Sequence, residues 1–134
     1  MARVLVENLD KVFPAQQPGQ EPVHALHQVG FAVEDAEFCC ILGHSGCGKT
    51  TLLNIMAGFE PVSGGRVCVN AEPVGKPSWQ RTMVFQDYAL FPWLTVERNI
   101  AFGLELKGLS AAEIARTVQR QIALVGLQGF ESRL

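Results

Sequence analysis

The sequence predicts an α/β domain built around one strand, turn and helix, and three observations lead there. Glu37 to Leu42 (EFCCIL) carries a continuous apolar run that ends at Gly43, the pattern of a strand buried on both faces. The next eight residues, Gly43 to Thr50, hold three glycines and close on a Lys-Thr pair. Beyond them Leu52, Leu53, Ile55 and Met56 recur at helical spacing as far as Gly58, which stands where a C-cap glycine belongs. Periodicity alone fits the apolar run to a helix as well as to a strand, and the glycines behind it favour the strand.

The other elements follow in chain order. Arg3 to Leu9 sets Val4, Leu5 and Val6 among polar neighbours and reads as a strand, followed by a Pro, Gly and Gln-rich loop from Pro14 to Pro22. Phe31 to Val33 reads as a short second strand. Ser63-Gly64-Gly65 is a turn, Arg66 to Asn70 alternates as a strand, and Arg81 to Phe85 (RTMVF) is a further strand candidate. Two helices complete the chain. One runs from about Thr95 through Val96, Ile100 and Leu104; the other starts at the capping box Ser110-x-x-Glu113 and carries Ile114, Val118, Ile122 and Val125 along one face.

Composition narrows the functional classes. With 134 residues and 48% apolar content, the chain has the material for one modest folded domain. The formal net charge is −2 and no Lys or Arg stripe is present, which argues against nucleic acid as a partner. Cys39, Cys40, Cys47 and Cys68 show no CxxC spacing and read as reduced cytosolic thiols. Met1 to Asp10 has no signal-peptide pattern, and no apolar stretch approaches the ~20 residues of a membrane span. Any membrane connection is expected to run through a partner.

Gly43-His44-Ser45-Gly46-Cys47-Gly48-Lys49-Thr50 fits G-x-x-x-x-G-K-[ST] at every fixed position. In such a loop the glycines let backbone N–H groups turn inward around a phosphate, where side chains at Gly46 and Gly48 would crowd the anion. Lys49 sets its ammonium against the β- and γ-phosphate oxygens, Thr50 offers a hydroxyl to Mg²⁺, and the helix that begins there aims its unpaired N–H groups at the same phosphates. A Gly-rich turn can also do no more than reverse the chain; the strand before it and the helix after it favour phosphate.

GHSGCGKTTLLNIMAGFEPVSGGRV, followed by MVFQDYALFPWLTVERNIAFGLELKG, resembles the ATP-binding subunit of ABC transporters, most of all importers of the nitrate, sulfonate and taurine group. The resemblance covers nearly the whole chain. It implies a P-loop NTPase core with an antiparallel β subdomain near the N-terminus, and it reads residues 1–134 as the N-terminal part of a nucleotide-binding domain. ATP and Mg²⁺ are the implied ligands, held by Gly43 through Thr50 together with Thr51. Gln86 matches the glutamine of the family's Q-loop, which ends a core strand and reaches Mg²⁺ and the attacking water. Tyr88, Leu90, Phe91, Pro92 and Trp93 are similar to the surface that receives the transmembrane subunit's coupling helix; an aromatic core cluster is the competing reading. Phe13 is similar to the residue that stacks on adenine, where tyrosine is more usual, and reads equally as an apolar residue ending a strand. His44 departs from the family, which more often has proline there, and is read as solvent-facing and not as a catalytic base.

By the same resemblance the partners are permease subunits, a second copy of the ATPase subunit and, indirectly, a solute-binding protein, at the inner face of the cell membrane. The family's LSGGQ signature, Walker B residues and switch histidine lie beyond the stretch that Gly126 to Leu134 (GLQGFESRL) matches. ATP hydrolysis is therefore expected of the full-length parent and not of these residues alone. The strands that flank Glu37 to Leu42 in the family come from sequence after Walker B. The isolated 134-residue chain is accordingly expected to expose that segment, to aggregate and to show no turnover. Two rivals remain on sequence grounds: a nucleotide-binding module with no transporter, and a P-loop kinase or GTPase, which the Gln86 segment argues against.

Overall fold

The alternation that begins at Val4 runs further than Leu9, because one extra residue resets its phase. In the computed structural model, which describes residues 3–87 and 89–134, strand β1 spans Val4–Phe13. Its core face falls on Val4 and Val6 at first, and on Leu9, Lys11 and Phe13 afterwards. The change of parity is a β-bulge. Glu7 pairs with Arg66 and Asp10 with Gly64, so three steps of β1 oppose two of its neighbour, and Asn8 takes a left-handed φ of 45°. Gly65 lies against the bulge. A Cβ there would stand 2.2 Å from the Asn8 carbonyl oxygen, so the close approach admits only glycine.

Two compact units result, Met1–Met83 and Val84–Leu134. In the first, β1 pairs with β2 (Val23–Val33), which is far longer than the three residues expected, and with β3 (Gly64–Val69). A short β4, Glu72–Pro73, completes an antiparallel sheet of order β2-β1-β3-β4. Asn70 and Ala71 join β3 to β4 with φ of 55° and 66°, the backbone of a two-residue mirror-image hairpin turn. Helix α1, Lys49–Ala57, lays Leu52 and Ile55 on Val6, Leu9, Leu26 and Val67, and Ile41 and Met56 pack around them. The expected loop at residues 14–22 is present.

Two expected strands are corrected. Residues 37–42 form no strand: Phe38 and Leu42 are each 89% exposed, and only Ile41 reaches the core. Residues 81–85 form none either, and Arg81 makes just an isolated bridge to Ser78. The physical reason is common to both. A strand is stable only when its N–H and C=O groups are paired along a neighbour, and among the described residues no strand is paired with either segment.

In the second unit α2 (Val96–Leu106) and α3 (Ala111–Leu124) pack through Ala101, Val118 and Ile122, with Val96, Ile100, Leu104 and Ile114 around them. Thr95 caps α2 by accepting from the Arg98 N–H, and the carbonyls of Arg133 and Glu131 accept from Val96 and Glu97. The orphan donors of the first turn are thus satisfied from two directions. Ser110 and Glu113 form the expected reciprocal capping box. Val125, expected on the apolar face of α3, is instead its exposed C-cap residue. The three helices among the described residues end alike, on left-handed Gly58, Gly108 and Gly126, whose N–H and the following N–H return to carbonyls of the last turn.

Candidate functional site

The turn between residues 43 and 50 is shaped by contacts within the chain as much as by its glycines. Gly48 is the N-cap of α1 at φ 95°, and no side chain caps the helix there. A Cβ on Gly48 would sit 2.5 Å from the Ala25 carbonyl oxygen and 2.9 Å from a Leu26 methyl. Glycine is thus required at 48 by its left-handed backbone and by the close approach of the neighbouring strand β2. Gly46, at φ 80°, has open space where a Cβ would go, and its backbone conformation alone favours glycine. A Cβ on Gly43 would meet the Cys47 sulfur at 2.5 Å.

Lys49 folds back over this turn. Its ammonium donates to the carbonyl oxygens of Gly43 at 2.8 Å and His44 at 2.7 Å and lies 3.5 Å from the Cys47 sulfur. The cation is held at the mouth of the loop beside the start of α1, where the first N–H groups of the helix lack intrahelical acceptors. His44 and Ser45 are exposed, and the His44 ring contacts the Ser45 carbonyl through Nδ1 at 2.8 Å. Thr50 is exposed on the first turn and Thr51 half-buried beside it. A fixed cation, a helix start without a side-chain cap and an exposed hydroxyl thus lie side by side at this turn, donors suited to an anion.

Phe13 ends β1, paired with Val23. Two residues earlier Lys11 pairs with Leu26, and Leu26 and its neighbour Ala25 are the residues against which Gly48 packs. The half-buried ring thus stands one strand-end away from the turn. Neither Lys11 nor Glu60 was singled out from the sequence, yet buried Lys11 pairs with half-buried Glu60: the Lys11 ammonium lies 2.6 Å from the Glu60 carboxylate and 2.8 Å from the Pro61 carbonyl oxygen. A lysine inside an apolar alternation was the available signal.

Gln86 belongs to the second unit, on an exposed bend at residues 86–87; it does not end a strand, since residues 81–85 form none. Tyr88 lies outside the described residues. Leu90 and Trp93 are exposed, Trp93 by 71%, whereas Phe91 is half-buried against Phe102 at 4.6 Å and Trp93 at 5.5 Å between ring centroids. Within this segment, then, Leu90 and Trp93 face solvent and Phe91 packs inward. Leu90, Phe91, Pro92 and Leu94 line one side of an open apolar groove of about 720 Å³. Asn99, which the sequence reading missed, holds the segment: its Oδ1 accepts the Phe91 N–H at 2.9 Å, and its Nδ2 donates toward the carbonyls of Phe91, Leu94 and Thr95.

The sequence profile described as ABC transporter matches residues 26–134, most of the chain and all of the turn. The chain belongs to the ABC transporter family. It is 44% identical over 130 residues to the taurine import ATP-binding protein TauB of Pelagibacter ubique (strain HTCC1062), covering 97% of this chain and 48% of that protein. It is 42% identical over 126 residues to the bicarbonate transport ATP-binding protein CmpC of Synechocystis sp. (strain ATCC 27184 / PCC 6803 / Kazusa), covering 92% of this chain and 19% of that one. Among solved structures it is similar to a dimeric post-hydrolysis state of the ATP-binding cassette MJ0796 bound to ADP and Pi. There the TM-score is 0.79 at 25% identity, over 96% of this chain and 60% of that one. The chain thus spans about half or less of the curated relatives it matches. The likeness to a solved cassette settles the fold class as a part of a P-loop ATPase domain that includes an antiparallel sheet. No helix among the described residues is long and apolar enough to cross a membrane, and all four cysteines are free thiols.

Proposed function

We propose that this chain supplies the nucleotide-binding part of an ABC importer's ATPase subunit, binding ATP with Mg²⁺ to energise uptake of a small anionic solute of the taurine, sulfonate, nitrate or bicarbonate type. The observation that carries this reading is the fixed Lys49 ammonium beside the start of α1, in a turn whose backbone is set by Gly48 against β2. In this reading Gly43 through Thr51 hold the phosphates, Thr50 contributes a hydroxyl to Mg²⁺, and Phe13 stacks on the base. Gln86 reaches the metal and the attacking water in the assembled subunit. Leu90, Phe91 and Trp93, with Tyr88, meet a permease subunit on the inner face of the membrane, and a second copy of the subunit completes the hydrolytic site. The solute-binding protein acts on the far side of the permease.

The test is Lys49→Ala. Charge-assisted hydrogen bonds contribute ~1.5–3 kcal/mol each, so the variant should bind ATP at least about tenfold more weakly. Equal affinities in two folded proteins would remove the phosphate-binding role. Thr50→Ala should lose Mg²⁺ dependence more than nucleotide affinity, and an unchanged Mg²⁺ titration would remove that assignment.

A further inference from the structure

We propose that Lys11 is a positioning residue for base recognition, fixing the ring of Phe13 from behind so that its other face is presented to the base of the nucleotide. The inference rests on the reading of Phe13 as the stacking residue.

The argument starts from the bulge at Asn8. Because it shifts the phase of β1, Leu9, Lys11 and Phe13 share the sheet face on which α1 packs, where regular alternation would carry them to the opposite face. Lys11 is consequently buried, at 6% exposure, in a place where an apolar side chain would be expected. Its charge is compensated there by Glu60 and by the Pro61 carbonyl, both in the segment that follows α1. Held by those two acceptors, the ammonium lies 4.7 Å from the centroid of the Phe13 ring, within cation–π range.

A half-buried aromatic ring at a strand end is ordinarily free to turn about χ1 and χ2. Here one of its faces is engaged by a cation that cannot follow it, so the ring orientation is set before any ligand arrives. Pre-organisation of this kind raises affinity by removing the ordering that binding would otherwise require. The strand register places the ring on the same side of the sheet as the phosphate turn, since Lys11 pairs with Leu26 and Leu26 abuts Gly48. A nucleotide whose phosphates lie in that turn has its base directed by the ribose to one side of it, and a prepared ring face one strand-end away suits a purine.

The Lys11–Glu60 pair also ties β1 to the segment after α1, and a purely structural role would affect every ligand of the turn alike. The experiment therefore compares two probes on the full chain: Mg²⁺–ATP, which has a base, and Mg²⁺–tripolyphosphate, which has none. Removing Lys11 alone would strand the Glu60 carboxylate, so the main variant replaces both, Lys11→Met with Glu60→Leu. Its ATP affinity should fall about two- to tenfold, the cost of ordering one free ring on binding, while tripolyphosphate affinity is unchanged. Lys11→Arg with Glu60 kept, which leaves a paired cation over the ring, should bind ATP as the unaltered chain does. Equal losses for the two probes, or no loss for either, would overturn the positioning role. Phe13→Leu separates the inference from its premise. If Phe13→Leu lowers the ratio of ATP to tripolyphosphate affinity and the paired variant does not, Lys11 alone is wrong; if Phe13→Leu leaves the ratio unchanged, the stacking reading fails first and the inference goes with it.

Discussion

Gly48 has to satisfy a left-handed backbone, a close approach to β2 and the start of α1 at once. Gly48→Ala should therefore destabilise the first unit by at least ~1–3 kcal/mol, the usual cost of holding a side chain in a disfavoured conformation, with contact strain added. Thermal unfolding reads this directly, and an unchanged melting temperature would show that the strand can give way. Gly46→Ala meets nothing within 4 Å and pays only for its backbone, so it should cost less. The ordering of the two was not legible in the sequence. The motif marks both positions as glycine, but the approach of Gly48 to Ala25 joins residues 23 apart, and such contacts leave no local pattern. Lys49 was legible because its place is fixed by the chain immediately around it.

Helices could be read ahead of the structure wherever their ends carry their own chemistry. Ser110 and Glu113 announce α3 because the box is a local exchange of hydrogen bonds. Ser110→Ala should cost ~0.5–2 kcal/mol of stability in the second unit, measured by urea unfolding followed by circular dichroism. Strands could not be read so surely. Residues 37–42 have the composition of a core strand, but a strand belongs to its neighbours, and a sequence run cannot say whether those are present. β2 was read as three residues because His24, His27 and Gln28 interrupt its alternation; its pairing with β1 supplies what propensity does not. Asn99 works at this scale too, joining α2 to the residues before it. Asn99→Leu keeps the volume and removes up to four hydrogen bonds, so the 91–95 segment should loosen. Faster amide exchange there, with α3 unchanged, is the expected outcome; uniform protection would show that packing of Phe91 on Phe102 suffices.

Several carboxylates act together on the chain's response to acid. Hydrogen bonding from the Arg66 guanidinium holds Glu7 below its ordinary value of 4.5, and the Gln28 N–H holds Asp10 below 3.8. Glu113 is lowered by the Ser110 hydroxyl and Glu131 by backbone N–H groups. Each is depressed in the folded state, so its contribution is fully present above the unfolded value and is lost as pH falls through the lower folded one. Stability should thus be level near neutrality and decline below about pH 4.5, and Ser110→Ala should flatten part of that decline. Urea midpoints measured from pH 7 to pH 3 test it, and a midpoint that rises on acidification would contradict the sign. Phe38 and Leu42, close together in one segment, are among the most exposed large apolar side chains of the first unit. Phe38→Ser with Leu42→Ser should reduce self-association in size-exclusion chromatography and leave ATP affinity intact. Helix α1 has a consequence for the first unit as a whole. Leu52 and Ile55, which fill the middle of its core, sit within two turns of Lys49 on one short rigid rod. A ligand gripped at the head of that rod acts on the folding equilibrium through mass action, because the unfolded chain offers no comparable grip. On the proposed reading, nucleotide at a hundredfold above Kd adds about 2.7 kcal/mol to the unit's stability, an increase that thermal unfolding with and without ATP would register.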